Sequence, residues 1–391
     1  MYEGKEIMPI KKYTKNKKSG WQYGSGTCFI GKGAKKKAIA QALTIGGGVF
    51  PEDHLDAHEG TLRNFREFVK QIISQTKNKT LKIKKSSIWL YPFAIERNYA
   101  RYIKKIMKQF TSITVEEMKP LLKTWKIENK KLLEDDAIDD LERINKEFKE
   151  TQNFIFVENE LSLRVDLGLT ALSVGEFNKK QHMKTMKQAL GFVYETFEPW
   201  EDPLIKQWVF ENVNLIKGLS DDYIKKINQT VMNAFNTGQT AESLARELTK
   251  INNEFATGRR ALVTKDGKPV LTKSGKPKFR RVQSRADLVA RDQIGKLNGQ
   301  YTKKRQTDVG VDKYIWNTSG DARVRTKHAA MNGKLCMWDD SSVYSVDGGK
   351  SWISRSSIGG IELHPGMDVQ CRCGAEAFWD DFINEIEQEA A

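Results

Sequence analysis

EPWEDPLIKQWVFENVNLIKGLSDDYIKKINQTVMNAFNTGQTAESLARELTK, residues 198–250, decides the fold class. Tyr223, Ile224, Ile227, Val231 and Ala234 or Phe235 recur at the spacing of one face of an α-helix. Ser220 reads as the N-cap of that helix, and Asp221 and Asp222 suit the positive end of its dipole. Gly238 reads as the stop. Thr240 then caps a second helix whose apolar face is Leu244, Leu248 and Ile251. The stretch is therefore built from amphipathic helices joined by a short turn.

The helical pattern extends on both sides. Towards the N-terminus, Leu62, Phe65, Phe68, Val69, Ile72 and Ile73 recur at helical spacing. Thr114-Val115-Glu116-Glu117 has the spacing of a capping box, although Pro120 requires a kink or a later start. The acidic run near residue 135 opens a further helix. Towards the C-terminus, Ser284 to about Gln300 predicts a helix with Ala286, Val289, Ala290, Ile294 and Leu297 inward. Between these helices lies residues 258–283, where T-K-x-G-K-P occurs at Thr264–Pro269 and again at Thr272–Pro277. Asp266-Gly267 and Ser274-Gly275 are turn dipeptides, so the segment reads as a small basic β-meander or hairpin. After Gly310, strand-like pieces (Tyr314–Trp316, Val343–Val346, Trp352-Ile353) alternate with turns, and a short acidic helix follows Phe378.

The expected class is α+β, mainly α-helical: a helical body with a C-terminal α+β module and a basic β-hairpin insertion. The expected organisation is a basic, Gly-rich N-terminal arm at 1–50, a charged helical region at 51–155, a helical core at 156–300 carrying the insertion at 258–283, and the α+β module at 301–391. Ala34–Leu43 is a short helix candidate within the arm.

Composition bounds the function. The 391 residues are 39% hydrophobic and 29% charged, ordinary for a soluble chain. No window approaches the ~18 consecutive apolar residues of a membrane span, and the N-terminus lacks the apolar run of a secretory signal. Four cysteines make no disulfide framework and suit a reducing compartment. The net charge of +15 is concentrated: residues 1–40 carry +8 and residues 259–285 carry +9, leaving the remainder slightly acidic. Such segments suit a polyanion, nucleic acid being the commonest. The candidate DNA contacts are Lys35, Lys36, Lys37, Arg259, Arg260, Lys265, Lys268, Lys273, Lys276, Lys278, Arg280 and Arg281; the alternative is a solvated lysine-rich surface.

The richest chemical constellation is His364-Pro365-Gly366-Met367-Asp368-Val369-Gln370-Cys371-Arg372-Cys373. On a strand, Cys371 and Cys373 would share a face with Arg372 opposite. A structural zinc takes four thiolate or imidazole ligands. Cys371, Cys373 and His364 supply three, with His328 or Cys336 as the fourth. Two small buried thiols beside a hydrogen-bonded histidine would read the same way. In Asp321-Ala322-Arg323-Val324-Arg325-Thr326-Lys327-His328, Asp321 is placed to receive an arginine, or to sit in an exposed salt-bridged turn. Gly26–Lys32 matches G-x4-G-K, but Gly33 stands where a P-loop needs Ser or Thr, so no nucleotide or organic cofactor is expected. His54 and His58 fit a solvated helix start better than a cation site. No catalytic triad order and no H-E-x-x-H motif is present.

Four blocks in the last 190 residues resemble the Mu F-like head-morphogenesis family. They are Glu211–Leu219 with Tyr223; Gly238–Leu248; Arg285–Asp292; and the closing set Trp316, Asp321, Arg323, Arg325, His328, Gly333, Pro365-Gly366 and Cys371-Arg372-Cys373. The resemblance implies a minor capsid protein near the portal vertex, in the head interior, present in the host cytoplasm during assembly. It implies portal, major capsid or scaffolding protein as partners, and packaged double-stranded DNA, with no membrane. It implies a non-enzymatic role in procapsid assembly and DNA packaging or delivery. It also carries a suspected metal to His328, Cys371 and Cys373, and more loosely to His364. The alternative from another class is a metal-dependent hydrolase or nuclease at the His/Cys cluster.

Overall fold

A computed structural model describes residues 10–15, 18–23, 29–30, 54–75, 83–84, 90–124, 127–128, 131–132, 134–196, 198–262, 264, 268–272, 274–281 and 283–390. The chain is mainly helical with small antiparallel sheets, as its patterning predicts. It divides into two compact units, each assembled from separated stretches: residues 1–95, 168–208 and 292–391 form one, and residues 96–167 and 209–291 the other. Among the described residues no helix is long and apolar enough to cross a membrane.

In the first unit, β1 (Ile10–Lys15), β2 (Lys18–Tyr23) and β3 (Phe29–Ile30) form an antiparallel sheet in that order. Charge alone predicts a flexible arm here. Ile10, Tyr13, Trp21, Tyr23, Phe29 and Ile30 are strand formers, and their preference prevails over the lysines between them. Ala34–Leu43 and Lys35–Lys37 lie outside the described residues. Helix α1 (His54–Gln75) buries Phe65, Val69 and Ile73 in one core with Met186, Leu190, Val309, Trp379, Phe382 and Ile386. The last three belong to the acidic C-terminal region predicted to be helical.

The second unit is helical. Its elements are most of α2 (Phe93–Ile113), α3 (Lys119–Thr124), a short ribbon of β4 (Ile127–Glu128) and β5 (Lys131–Leu132), and α4 (Glu134–Asn153). It also takes the start of α5 (Glu160–Leu190), most of α6 (Glu201–Thr237), and α7 (Ala241–Asn252). Two predicted caps are interior positions. Thr114 lies in a wide helical turn continuous with α2, where the Lys119 amide bonds its carbonyl just ahead of Pro120. Its hydroxyl meets Tyr223 at 2.6 Å instead of capping. Ser220 lies within α6, its hydroxyl donating to the Lys217 carbonyl (2.7 Å) and accepting from Gln152 (3.1 Å). A serine can satisfy itself against the preceding turn, so the helix continues through the apparent start signal. The other signals hold. Gly238 has φ +64°, and Thr240 accepts from the Ser243 amide. Leu244, Leu248 and Ile251 are buried, as are Tyr223 and Ile227.

The basic insertion is a three-way β-junction. Strands β6 (Arg259–Ala261) and β7 (Phe279–Arg281) pair antiparallel. Beyond them the Leu262 amide bonds Lys278 O, the Lys278 amide bonds Val270 O, and the Val270 amide bonds Leu262 O, at 2.7–2.9 Å. The eight-residue period of T-K-x-G-K-P is thereby converted into a closed cycle. Each repeat carries the same pair of bonds between its described end residues. The threonine amide bonds the lysine carbonyl four residues on (2.7 Å in both), and that lysine's amide returns to the threonine hydroxyl at 3.1 and 3.2 Å.

Helix α8 (Arg285–Asp308) starts with a reciprocal cap. Asp287 accepts from the Ser284 amide, and Ser284 Oγ accepts from the Asp287 amide. It runs eight residues past the predicted end at Gln300 because its last turns are buried through polar pairing. Arg305, 1% exposed at its side chain, grips Glu198 with two bonds of 2.7 Å and donates to Gly175 O and Asn178 at 2.9 Å.

Candidate metal centre

The module after α8 is organised on β8 (Lys313–Asn317), flanked antiparallel by β12 (Gly374–Ala377) and β9 (Leu335–Met337). Alternation along β8 buries Tyr314 and Trp316, which form a core with Met331, Cys336, Trp338, Tyr344 and Ala375. Gly333 (φ +75°) donates to Trp316 O at 2.7 Å, a turn that a side chain there would strain. Strands β10 (Val343–Tyr344) and β11 (Ile353–Ser354) form a hairpin closed by Asp347, which accepts from Ser345, Ser351 and the Ser351 amide.

His328 sits on the one-turn helix α9 (Thr326–Ala329), 3% exposed, its ring edge-on to Trp316. Its Nδ1 is 3.3 Å from Cys373 Sγ and 3.5 Å from Cys371 Sγ. Its Nε2 is 2.9 Å from Asp368 Oδ2. The Nδ1 and two Sγ atoms lie within 4.8 Å of one another, the one such metal-ligating group among the described residues. Cys371 Sγ also accepts from the Gly366 and Cys373 amides, both at 3.4 Å.

The signature residues bring these groups together. Asp321 takes Arg372 at 2.8 Å and Arg323 at 3.1 Å. Arg325 takes Asp368 at 2.8 Å and Val369 O at 2.8 Å. Thus Asp321 and Arg325 tie the segment before His328 to both ends of the Asp368–Arg372 stretch. Cys371 and Cys373 converge from irregular backbone, since β12 begins only at Gly374; the strand expected for them is absent at their positions. The loop also lies against α8 at glycines. A Cβ on Gly295 would fall 2.6 Å from Cys371 O, and one on Gly299 2.7 Å from Pro365 O. Gly366, at φ +88°, could carry no Cβ without meeting Gly295 O at 2.7 Å.

Electrostatics favour a thiolate beside a cation or metal. The hydrogen bond from the Cys373 thiol, aided by His328 and the two amides, holds the Cys371 thiol well below the ordinary thiol range despite burial. The same bond, with burial, pushes Cys373 up. Burial disfavours the His328 imidazolium, but bonding to Cys371 and Asp368 outweighs it and raises its pKa.

Two proposed ligands stand elsewhere. His364 Nδ1 bonds Tyr314 Oη at 2.9 Å with its ring against Trp338; burial, with Lys303 and Arg355, lowers its pKa to about 4. Cys336 is pushed up to about 11 by burial and contacts Lys334 O at 3.7 Å. Both belong to the environment of Arg355, a fully buried guanidinium bonded to Val343 O, Ile361 O, Leu363 O and Tyr314 Oη. Sequence reasoning missed Arg355, which carries no local signal. It also missed Gly295 and Gly299, whose one-turn spacing in a helix was a readable sign of close approach. Of the basic residues, Lys268, Lys276, Lys278 and Arg280 are exposed, Arg259, Arg260 and Arg281 occupy the paired strands, and Lys265 and Lys273 lie outside the described residues.

The donor set fits a metal. One imidazole nitrogen and two sulfurs converge, backbone amides support a thiolate, and the second imidazole nitrogen is held by a carboxylate, the outer partner typical of metal-bound histidines.

A Haemophilus influenzae protein described as uncharacterized is 27% identical over 162 residues, covering 41% of this chain and 26% of the relative. The alignment thus spans about a quarter of that protein. No solved structure matches. The family described as Phage Mu protein F like protein matches residues 225–376, from the middle of α6 through β12, and so includes the Asp321–His328 and Cys371–Cys373 segments just described. Over those residues the chain is similar to the Mu F-like phage head morphogenesis family.

Proposed function

We propose that the protein is a minor head protein that acts in head morphogenesis near the portal vertex, assisting procapsid assembly and DNA packaging or delivery. Its role is structural rather than enzymatic. Its basic segments contact packaged DNA, and its partners are the portal and the major capsid or scaffolding protein. The observation that carries this reading is the convergence of the family signature, Asp321 through Cys373, on one stapled loop. A signature spent on ion pairs that tie one loop together is what a structural role demands.

His328, Cys371 and Cys373 would supply three of the four ligands of one structural zinc, which would lock the loop by cross-linking α9 to the residues before β12. Because its ligands are thiolates and a neutral imidazole, the metal would be released as pH falls. Imaging of a virion or prohead tests the location: density for this chain at the portal vertex supports the reading, and occupancy spread over the shell rejects it.

A catalytic metal is the second reading. It is favoured by the donor count, since three protein ligands beside a carboxylate-held histidine leave a coordination position for water. Metal analysis joined to a nuclease assay separates the two. Stoichiometric metal with no cleavage supports the structural role, and metal-dependent cleavage lost in Cys371→Ser supports the catalytic one.

A further inference from the structure

Buried indoles differ in what they find beside them. Trp338 Nε1 donates to Gln306 Oε1 at 3.0 Å, and Trp208 Nε1 to Gln293 O at 3.3 Å. Trp316 and Trp379 are as deeply buried, yet neither indole nitrogen makes a regular hydrogen bond among the described residues. A buried donor left unsatisfied costs free energy, so each position needs a physical reason.

Their surroundings separate the two. Trp379 stands in the core of Phe65, Met186 and Phe382, an apolar setting. Trp316 stands at the candidate metal centre. Cys373 packs against its core, His328 meets its ring edge-on at 5.9 Å, and its indole N–H is directed at the Cys373 sulfur, as is the Ser319 amide. The ring is fixed in that place. Trp316 lies opposite Ala375 in the register of β8 and β12, its own amide bonds Lys334 O at 2.9 Å, and the Arg355 guanidinium lies 5.7 Å from its ring centre.

The two sulfurs are therefore provided for alike. Cys371 Sγ accepts from the Gly366 and Cys373 amides, and Cys373 Sγ faces the Ser319 amide and the Trp316 indole. A neutral thiol is a weak acceptor, whereas a thiolate takes strong, charge-assisted bonds. An indole N–H that the thiol leaves unsatisfied gains its partner when that sulfur gives its proton to solvent and ligates an ion. The ligand imidazole has the matching outer partner in Asp368.

We infer that Trp316 is a positioning residue of the metal centre: its indole N–H, with the Ser319 amide, holds Cys373 as a ligating thiolate, as the Gly366 and Cys373 amides hold Cys371. This rests on the metal reading above and gives the tryptophan of the closing signature a role beyond packing.

The test is metal binding by the full-length protein, with zinc measured by chelator competition and cobalt(II) by absorption. Trp316→Phe keeps an aromatic ring and removes the donor, and Trp379→Phe does the same to an indole in the apolar core. Trp316→Phe should weaken zinc binding by ~10–100-fold, the usual effect of losing an outer partner, and Trp379→Phe should leave it unchanged. A hydrogen-bonded thiolate gives up charge less readily, so the sulfur-to-cobalt charge-transfer band should move to longer wavelength in Trp316→Phe and stay in place in Trp379→Phe. A merely structural role for the indole would change stability without moving that band. Wild type supplies a second reading that does not depend on how well the variants fold: with isotope-labelled tryptophan, one indole N–H resonance should move downfield on loading with zinc. If wild type binds metal but affinity and band are the same in Trp316→Phe, or both variants act alike, or no indole resonance moves, Trp316 has no part in the site while the metal reading stands. If wild type binds neither zinc nor cobalt, the metal reading fails and this role with it.

Discussion

The same substitution, glycine to alanine inside a helix, should have opposite signs at two positions. In an exposed helix interior, alanine is favoured over glycine by ~0.5–1 kcal/mol, because glycine loses more backbone freedom on folding. Gly218, within α6, is exposed, and a Cβ there meets nothing within 4 Å. Gly218→Ala should therefore stabilise by about that amount. Gly299 occupies an equally helical position in α8, but its Cβ would lie 2.7 Å from Pro365 O and 3.3 Å from Gly366 Cα. Both obstacles are backbone, so relief requires the whole His364–Cys371 loop to move. Overpacking of this kind costs ~1–3 kcal/mol, so the helical gain is outweighed and Gly299→Ala should be net destabilising by ~1–2 kcal/mol. Urea denaturation reads the midpoints, and hydrogen exchange at amides of α6 and α8 assigns each effect to its own unit. The displaced loop should also expose Cys371 and Cys373, so their reaction with a thiol reagent should quicken in Gly299→Ala. If Gly299→Ala raises the midpoint as Gly218→Ala does, the close approach of loop to helix is wrong, and with it the account of why Pro365-Gly366 belongs to the signature.

Further outcomes follow from buried charges. His364 has its folded pKa lowered to about 4 by burial and by Lys303 and Arg355. The unfolded ring titrates near ~6.5, so the unfolded state takes the proton first. The neutral ring's contribution is fully present above that pH and is lost as pH falls towards 4; because the ring is partly exposed, solvent screening holds the loss to ~1–2 kcal/mol, below the ~1.36 kcal/mol per pH unit of a fully buried group. Denaturation midpoints from pH 7 to 4 should fall more steeply for wild type than for His364→Gln, and parallel curves would count against the assignment. Arg305→Gln leaves Glu198, 8% exposed at its side chain, as a buried charge without its partner. It should cost ~3–5 kcal/mol, with much of that recovered on adding Glu198→Gln. A double-mutant cycle that comes out additive would refute the pairing.

Helical periodicity was readable from residues alone because a helix face is a local property. Tyr223, Ile227, Leu244 and Leu248 are buried as their spacing predicts, and each T-K-x-G-K-P repeat is closed by bonds between its Thr and the Lys four residues on. Capping residues were less reliable. Ser220 and Thr114 carry the chemistry of a helix start, yet each finds a partner remote in the chain, Gln152 for one and Tyr223 for the other, and a distant partner leaves no mark in local sequence. The end of α8 was hidden for the same reason, since Arg305 and Gln306 look like surface residues until Glu198 and Ala375 O are brought against them.

The candidate centre divides in the same way. Sequence by itself determined the helical character, the basic insertion, the family resemblance and the chemical type of the site, because composition, spacing and motif order are properties of the chain. Only the tertiary structure decided which histidine joins Cys371 and Cys373. His364, seven residues from Cys371, bonds Tyr314, whereas His328, on a separate helix, reaches both sulfurs. That choice depends on where Asp321, Arg325 and the glycines of α8 hold the loop, and the sum of those distant contacts outweighs proximity along the chain.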